Sequence, residues 1–131
     1  MAAITQFVPV DLLDQAPLTG LADANGVITV VSDEVPPGQF WELERAVIVC
    51  DSATIPTFTL YRGGVSTINA RAGTPAGNFA VAEGFPPLRI PSGFHVTGQW
   101  TGADVGSIGV LVLEGLLVQR VQVGTYSLTG G

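Results

Sequence analysis

Two glutamates placed two residues apart are the pair in this sequence whose spacing could support acid-base chemistry. Glu42 and Glu44 alternate with Trp41 and Leu43, and alternate residues of a β-strand share a face, with Cα atoms about 7 Å apart. Paired carboxylates at about this separation can hydrolyse glycosidic bonds. The alternation also fits a strand whose tryptophan and leucine are buried and whose glutamates are solvated. We favour this second interpretation and assign no catalytic residue.

The single histidine offers little scope for a metal site. His95 stands in the run His95-Val96-Thr97. The strand number and the proline-glycine turns resemble those of a cupin, whose metal is held by a His-x-His pair, a later Glu and a further His. Thr97 occupies the place of the second histidine, so the activity does not carry over. We expect no metal and no cofactor, and a cupin-like small-molecule enzyme stays an alternative.

A serine nucleophile would need a histidine and a carboxylate beside it. Ser92 and Ser107 flank His95 in the sequence, and Asp104 lies between His95 and Ser107. The chain has no Gly-x-Ser-x-Gly elbow, and Ser92 is explained by its place in a turn. We therefore expect a protein that is not an enzyme.

Charge excludes two classes of partner. The 131 residues include 11 acidic and five basic residues, all five of them arginine, and the formal net charge is −6. Nucleic acids and acidic membrane surfaces need a clustered basic face, so neither is expected as a partner. Charged residues make up 12% of the chain and apolar ones 47%, against an ordinary charged share of about 25%. Such a chain is expected to bury surface against neighbours.

The chain shows no feature that would send it to a membrane or through one. Its first residues lack the positive and continuous apolar regions of a secretory signal. The longest apolar run, from Ile108 to Val118, falls short of the ~20 residues of a membrane span. Cys50 is alone, so we expect a small buried hydrophobe and no internal disulfide. Synthesis in the cytoplasm without a signal peptide is expected.

The elements that carry these residues are predicted to be strands. Apolar residues alternate or run together, and 17 glycines and nine prolines punctuate them, which is typical of antiparallel sandwiches and barrels. We predict an all-β antiparallel sandwich or jelly-roll-like barrel of about eight strands in residues 27–131. Gly63-Gly64 predicts a two-residue hairpin, and Val110 to Leu113, apolar on both faces, predicts a central strand.

One short pattern occurs twice. Val35-Pro36-Pro37-Gly38 precedes one aromatic strand, and Ile90-Pro91-Ser92-Gly93 precedes another. A proline that ends one strand and a glycine that turns into the next suit a corner between sheets. Two similar halves of four strands would make a double Greek key, although apolar-Pro-x-Gly is also a common turn.

Residues 1–26 show no clean period, and we predict an extended N-terminal arm there. Phe7, Val10, Leu12 and Leu13 would need a partner surface, because isolated extended hydrophobes are unstable in water. The alternative is a first strand packed on its own domain.

Aromatic side chains on a sheet face could bind sugars. Trp41 and Trp100 alternate in step with core residues, so they are expected to be buried. Tyr61 shares its face with Thr57 and Thr59. Tyr61 is therefore the best candidate for an exposed contact. The aromatic residues considered were Trp41, Tyr61, Phe85, Phe94 and Trp100.

The chain resembles the small decoration, or cement, proteins of tailed bacteriophages and related minor virion proteins. The residues that carry the likeness are Ile4 to Pro17, Val35-Pro36-Pro37-Gly38 with Phe40-Trp41-Glu42-Leu43, Ile90-Pro91-Ser92-Gly93, and the terminal strands to Val123. The resemblance implies a homo-oligomer, with a trimer favoured, on the outer capsid surface of the virion. Its partner would be the major capsid protein. A receptor- or carbohydrate-binding module of a phage tail or head fibre is the alternative.

Overall fold

The computed structural model contains two antiparallel β-sheets packed face to face. It describes residues 2–13 and 15–126, and the surroundings of the side chains of residues 6–13, 15–82 and 88–121. The all-β prediction is confirmed. Within the described residues no helix is long and apolar enough to cross a membrane.

In the part of the chain that the structure describes, nine strands make up the two sheets. They are β1 (Ala2–Leu12), β2 (Leu18–Leu21), β3 (Ile28–Val31), β4 (Gln39–Cys50), β5 (Thr57–Arg62), β6 (Ala70–Thr74), β7 (Phe79–Ile90), β8 (Val96–Thr101) and β9 (Ile108–Tyr126). A single turn of 3-10 helix, Thr67–Asn69, lies between β5 and β6.

The strand order is that of a jelly roll. Sheet 1 has the order β1-β9-β4-β7, and β2 continues β1 along the same edge of β9, while sheet 2 has the order β3-β8-β5-β6. Consecutive strands cross between the two sheets, except that β1 and β2 share sheet 1 and β5 and β6 form a hairpin in sheet 2. This arrangement is that of paired Greek keys. Strand β9 pairs with β4 from Gly109 to Gln119 and with β1 from Leu116 to Tyr126. The predicted central strand is confirmed, because Val110 to Leu113 pair with β4 on one side, and Val110 and Leu111 also pair with β2 on the other.

The core between the sheets is apolar and tightly packed. Trp100 is fully buried, its ring centroid lies 4.8 Å from that of Phe58, and its Nε1 donates to the carbonyl of Gly77 at 2.9 Å. Trp41 is also buried, as its phase with Leu43 predicted, and so is Cys50. Burial of these large side chains is the main favourable contribution to folding.

The two copies of the repeated turn pack against each other. The N–H of Val35 donates to the carbonyl of Phe94 at 2.8 Å, and the N–H of Gly93 donates to the carbonyl of Val35 at 2.9 Å. Ser92 Oγ donates to the carbonyl of Pro36 at 2.9 Å. Gly38 and Gly93 have φ values of 78° and 82°, a conformation in which glycine carries no steric penalty. The repeat therefore forms one paired corner at this end of the sandwich.

The predicted two-residue hairpin at Gly63-Gly64 is wrong. Seven residues, 63–69, connect β5 to β6, and they include the 3-10 turn. Asn69 explains the longer connection, because its Nδ2 donates to the carbonyl of Gly64 at 3.0 Å and its N–H donates to Ser66 at 2.9 Å. Side-chain hydrogen bonds of this kind stabilise a loop against a tighter hairpin.

The N-terminal segment pairs with the last strand. β1 and β2 follow each other along the same side of β9, at one edge of sheet 1. Residues 2–12 and 18–21 therefore form a first strand of the domain, which was the alternative to a free arm. They are extended, as predicted, but their backbone belongs to the sandwich.

Candidate functional site

The outer face of sheet 2 is mostly polar, and Val31 is an exposed apolar residue on it. Threonines and a glutamine follow one another across β3, β8 and β5 in register, with Tyr61 half-buried at one end. We call this surface the threonine face; its members are Thr29, Thr57, Thr59, Gln99 and Thr101. Polar residues that alternate with core residues are typical of a sheet face in contact with water.

The outer face of sheet 1 is apolar over half of its length. Five of its residues have exposed fractions between 37% and 67%, and three valines are half-buried. We call this surface the valine face; its members are Leu21, Val47, Val49, Phe79, Val81, Ile108, Val110 and Val112. Apolar patches of a few hundred Å² mark interaction sites in soluble proteins.

Local sequence explains why the valine face exists. In β4 and β9 both the inward and the outward positions are apolar, as in Val47-Ile48-Val49 and Val110-Leu111-Val112. Ile48 and Leu111 enter the core, and the valines on either side therefore point outwards. Strands with this composition are normally covered on both faces. Within the described part of the chain, nothing packs over the outward side.

Ion pairs bound the valine face at one end. Arg45 lies 3.7 Å from Glu114, and Arg89 lies 3.3 Å from Glu42. Beyond them the Phe40 ring packs 5.2 Å from the Phe7 ring and carries the Arg89 guanidinium 4.8 Å from its centroid. The same face therefore has a valine end, a charged belt and an aromatic end.

The exposed edge of β1 is the second candidate surface. Phe7, Val10 and Leu12 are 54%, 46% and 72% exposed, as candidates for partner contact must be. Leu13 differs, since it packs against the core and its N–H donates to the carbonyl of Gly115 at 2.9 Å. Sequence reasoning thus named three exposed residues and one packed residue on this segment.

The third candidate is an opening between the edges of β6 and β7. It has a volume of about 220 Å³ and is lined by core residues and by Ala72, Ala80 and Ala82. These alanines occupy inward positions opposite Leu60, Ile48 and Ala46. Their small size leaves the edge of the sandwich loosely closed, and no polar or charged side chain other than Thr74 lines the opening.

The residues considered for catalysis take structural positions. Glu42 pairs with Arg89, while Glu44 lies where the register between β4 and its neighbours shifts. Ser107 Oγ donates to the carbonyl of Asp104 at 2.6 Å. Ser92 and His95 precede β8, whereas Asp104 and Ser107 follow it. The strand therefore separates the histidine and Ser92 from the carboxylate.

Asp104 organises two neighbouring loops. Its carboxylate accepts hydrogen bonds from the Thr54 hydroxyl at 2.8 Å and from the N–H groups of Ala53 and Thr54 at 3.0 and 3.3 Å. The Thr54 hydroxyl, followed by the backbone donors and Ser52, lowers the pKa of this carboxyl below its ordinary value of 3.8. Hydrogen bonds to a charged carboxylate favour the ionised form.

Replacing Asp104 with asparagine should change how stability depends on pH. A carboxyl whose pKa is lower in the folded state contributes stability above its unfolded pKa, and that contribution is lost as pH falls through the folded pKa. We expect Asp104→Asn to have a lower Tm than the wild type at pH 7. Between about pH 5 and pH 2 the Tm of the variant should fall by less than that of the wild type. Thermal unfolding followed by circular dichroism measures both. Asp33→Asn, in an exposed loop, is the control, and an equal pH profile for Asp104→Asn and wild type would contradict this role.

The aromatic candidates for sugar binding separate clearly. Trp41 and Trp100 are buried, Tyr61 is half-buried at the end of the threonine face, and Phe94 is exposed beside the paired corner. The side chain of Phe85 lies outside the described residues. In the described ranges, no group of three or more His, Cys, Asp or Glu side chains is placed to hold a metal ion.

The valine face was missed by sequence reasoning. The signal that could have found it is the run of apolar residues at outward positions of β4 and β9, next to a second sheet whose outward positions are threonines. Comparison with protein-family models, with curated proteins and with solved structures finds no match for this chain.

Proposed function

We propose that this chain is a non-enzymatic structural subunit that binds the outer surface of an assembled phage capsid, as an oligomer, and stabilises it. The observation that carries the proposal is the edge of β1, an eleven-residue strand. Within the described residues this strand pairs only with β9, and it presents Phe7, Val10 and Leu12 to solvent. A long, apolar edge strand is a template for pairing with another chain.

The edge supports a specific mode of attachment. A strand of the major capsid protein can extend sheet 1 beside β1, with main-chain hydrogen bonds giving affinity and pockets for alternate side chains giving specificity. Leu12, the most exposed of the three, would fill one such pocket. A subunit that binds only the assembled lattice stabilises that lattice by mass action.

Charge supports the outer position. The net charge of −6 opposes close contact with packaged DNA, which binds through its phosphates to basic surfaces. It leaves the capsid exterior as the compatible side of the shell.

Substitution of Leu12 tests the proposal. We expect Leu12→Asp to weaken binding to purified empty heads that lack their own decoration protein by about tenfold or more, because a buried apolar contact becomes a charged one; tenfold corresponds to about 1.4 kcal/mol per subunit. Co-sedimentation of protein with heads measures the affinity.

The matched control is Ile68→Asp, an exposed apolar residue on the β5–β6 connection. It should bind heads as the wild type does, and both variants should keep the wild-type Tm. Equal affinity of the two variants, or absence of binding by the wild type to every head tested, would argue against the capsid role.

A carbohydrate-binding role has one observation in its favour. Tyr61 stands half-exposed among the hydroxyls of the threonine face, and aromatic rings with neighbouring polar groups suit sugar contacts. Loss of glycan-array binding in Tyr61→Ala, together with absence of binding to heads, would favour this receptor-binding module over the capsid role.

A further inference from the structure

The valine face combines exposed apolar side chains with a lack of charge. All eight of its members are uncharged. Next to them in the same sheet, the described side chains include three arginines and three glutamates, so positive and negative charges balance there. These residues are Arg45, Arg89, Arg120, Glu42, Glu44 and Glu114.

This distribution decides which surface two copies can share. Two molecules with a charge of −6 repel each other, and the repulsion is smallest where neither presents an excess of carboxylates. The outer face of sheet 1 and the threonine face both meet that condition. The loops at the ends of the sandwich, which carry carboxylates such as Asp23, Asp33 and Asp104, do not. Of the two faces, the valine face offers the larger apolar surface, whose burial drives association.

The size of the valine face also matches an interface between copies. Five of its residues are 37% to 67% exposed, which gives an apolar surface of a few hundred Å², the size at which such patches mark interaction sites. A standard interface buries about 800 Å² on each partner, of which about 60% is non-polar. The face therefore supplies the apolar part of one half of such an interface, and the polar residues around it supply the rim.

Shape points to two copies in a symmetric arrangement. The members come from four neighbouring strands, β2, β9, β4 and β7, which form a continuous sheet surface. Sheets pack face to face at about 10 Å through valine, isoleucine and phenylalanine side chains. A surface that packs on its own copy generates a two-fold axis.

We propose that the valine face is the interface between two copies of this chain, packed sheet 1 against sheet 1 across a two-fold axis. The interface buries Val47, Val49 and Val112 of both copies at its centre. It leaves the edge of β1 and the threonine face of each copy open. The proposal goes beyond the capsid role and does not depend on it.

Sedimentation equilibrium of the full chain tests the proposal. We expect a dimer with a mass of twice 13.5 kDa, which dissociates on dilution. Val49→Glu should raise the dissociation constant by about a hundredfold or more, because each copy would bury one unpaired carboxylate in the interface. Phe79→Glu, on the edge strand β7, is the second variant in case Val49→Glu folds poorly. Thr29→Glu, on the threonine face, is the control and should stay as dimeric as the wild type.

Salt supplies an independent readout. An apolar interface between two acidic chains should tighten when NaCl rises from about 0.05 to 1 M, because salt screens their repulsion. A dimer held by ion pairs would weaken instead.

Three results would overturn the proposal: a single-chain mass at several hundred micromolar, a trimer, or glutamate variants that associate as the wild type does. A monomer that still binds heads would support the capsid role and contradict this interface. A dimer that binds no head would support this interface and contradict the capsid role.

Discussion

Replacing Trp100 with alanine is expected to lower the free energy of unfolding by about 3–5 kcal/mol. The side chain is fully buried, and its ring packs against Phe58. A Cβ on Gly109 would lie 3.0 Å from the same ring, so the indole fills its space up to the backbone of β9. Removal of the ring leaves a cavity and an unsatisfied carbonyl at Gly77.

Urea unfolding followed by circular dichroism measures this effect. Trp100→Phe keeps a ring but loses the Nε1 donor, and it should cost less than the alanine change. Ile68→Ala, at a position that is 81% exposed, is the control and should cost under about 1 kcal/mol. A loss for Trp100→Ala as small as that of Ile68→Ala would show that the core does not depend on this residue.

The second large effect is expected at Gly115. This glycine pairs with Leu43 beside the shift in register between β9 and β4. A Cβ at this position would overlap the carbonyl oxygen of Glu42 and lie 3.0 Å from the Cα of Leu43. Both neighbours are backbone atoms of a central strand, so the clash can be relieved only if the two strands separate.

We therefore expect Gly115→Ala to lower the free energy of unfolding by about 3 kcal/mol or more, at the upper end of overpacking effects. The control is Gly64→Ala, where a Cβ would meet nothing within 4 Å, and it should change stability by less than about 0.5 kcal/mol. Urea titration of the two proteins side by side makes the comparison. Similar midpoints for both variants would contradict the close approach of β9 to β4.

The strands of the core were predictable because burial on one face leaves a period of two in the sequence. Trp41, Leu43 and Trp100 were assigned to the core in this way, and all three are buried. The lengths of β7 and β9 were not predictable. Shifts in register, such as that between Leu43 and Arg45, let one strand continue through glycine and proline positions that usually end strands.

The candidate surfaces were predictable only in part. Phe7, Val10 and Leu12 were identified because an apolar segment without a clean period calls for a partner. The valine face was not identified, because the period of a strand shows that its two faces differ and not which layer covers each of them. Val47 and Val110 in sequence are typical of buried positions, and only the strand order reveals that no second layer lies over them.

The pairing of the first strand with the last determines how the molecule bears mechanical load. Ala2 lies opposite Tyr126 in the antiparallel pair. A force that pulls these two residues apart therefore breaks the hydrogen bonds between β1 and β9 one after another. A load applied along β4 is shared at once by the rungs to β9 and β7 on its two sides. The sandwich should therefore separate first between β1 and β9, and it should resist force longest along β4.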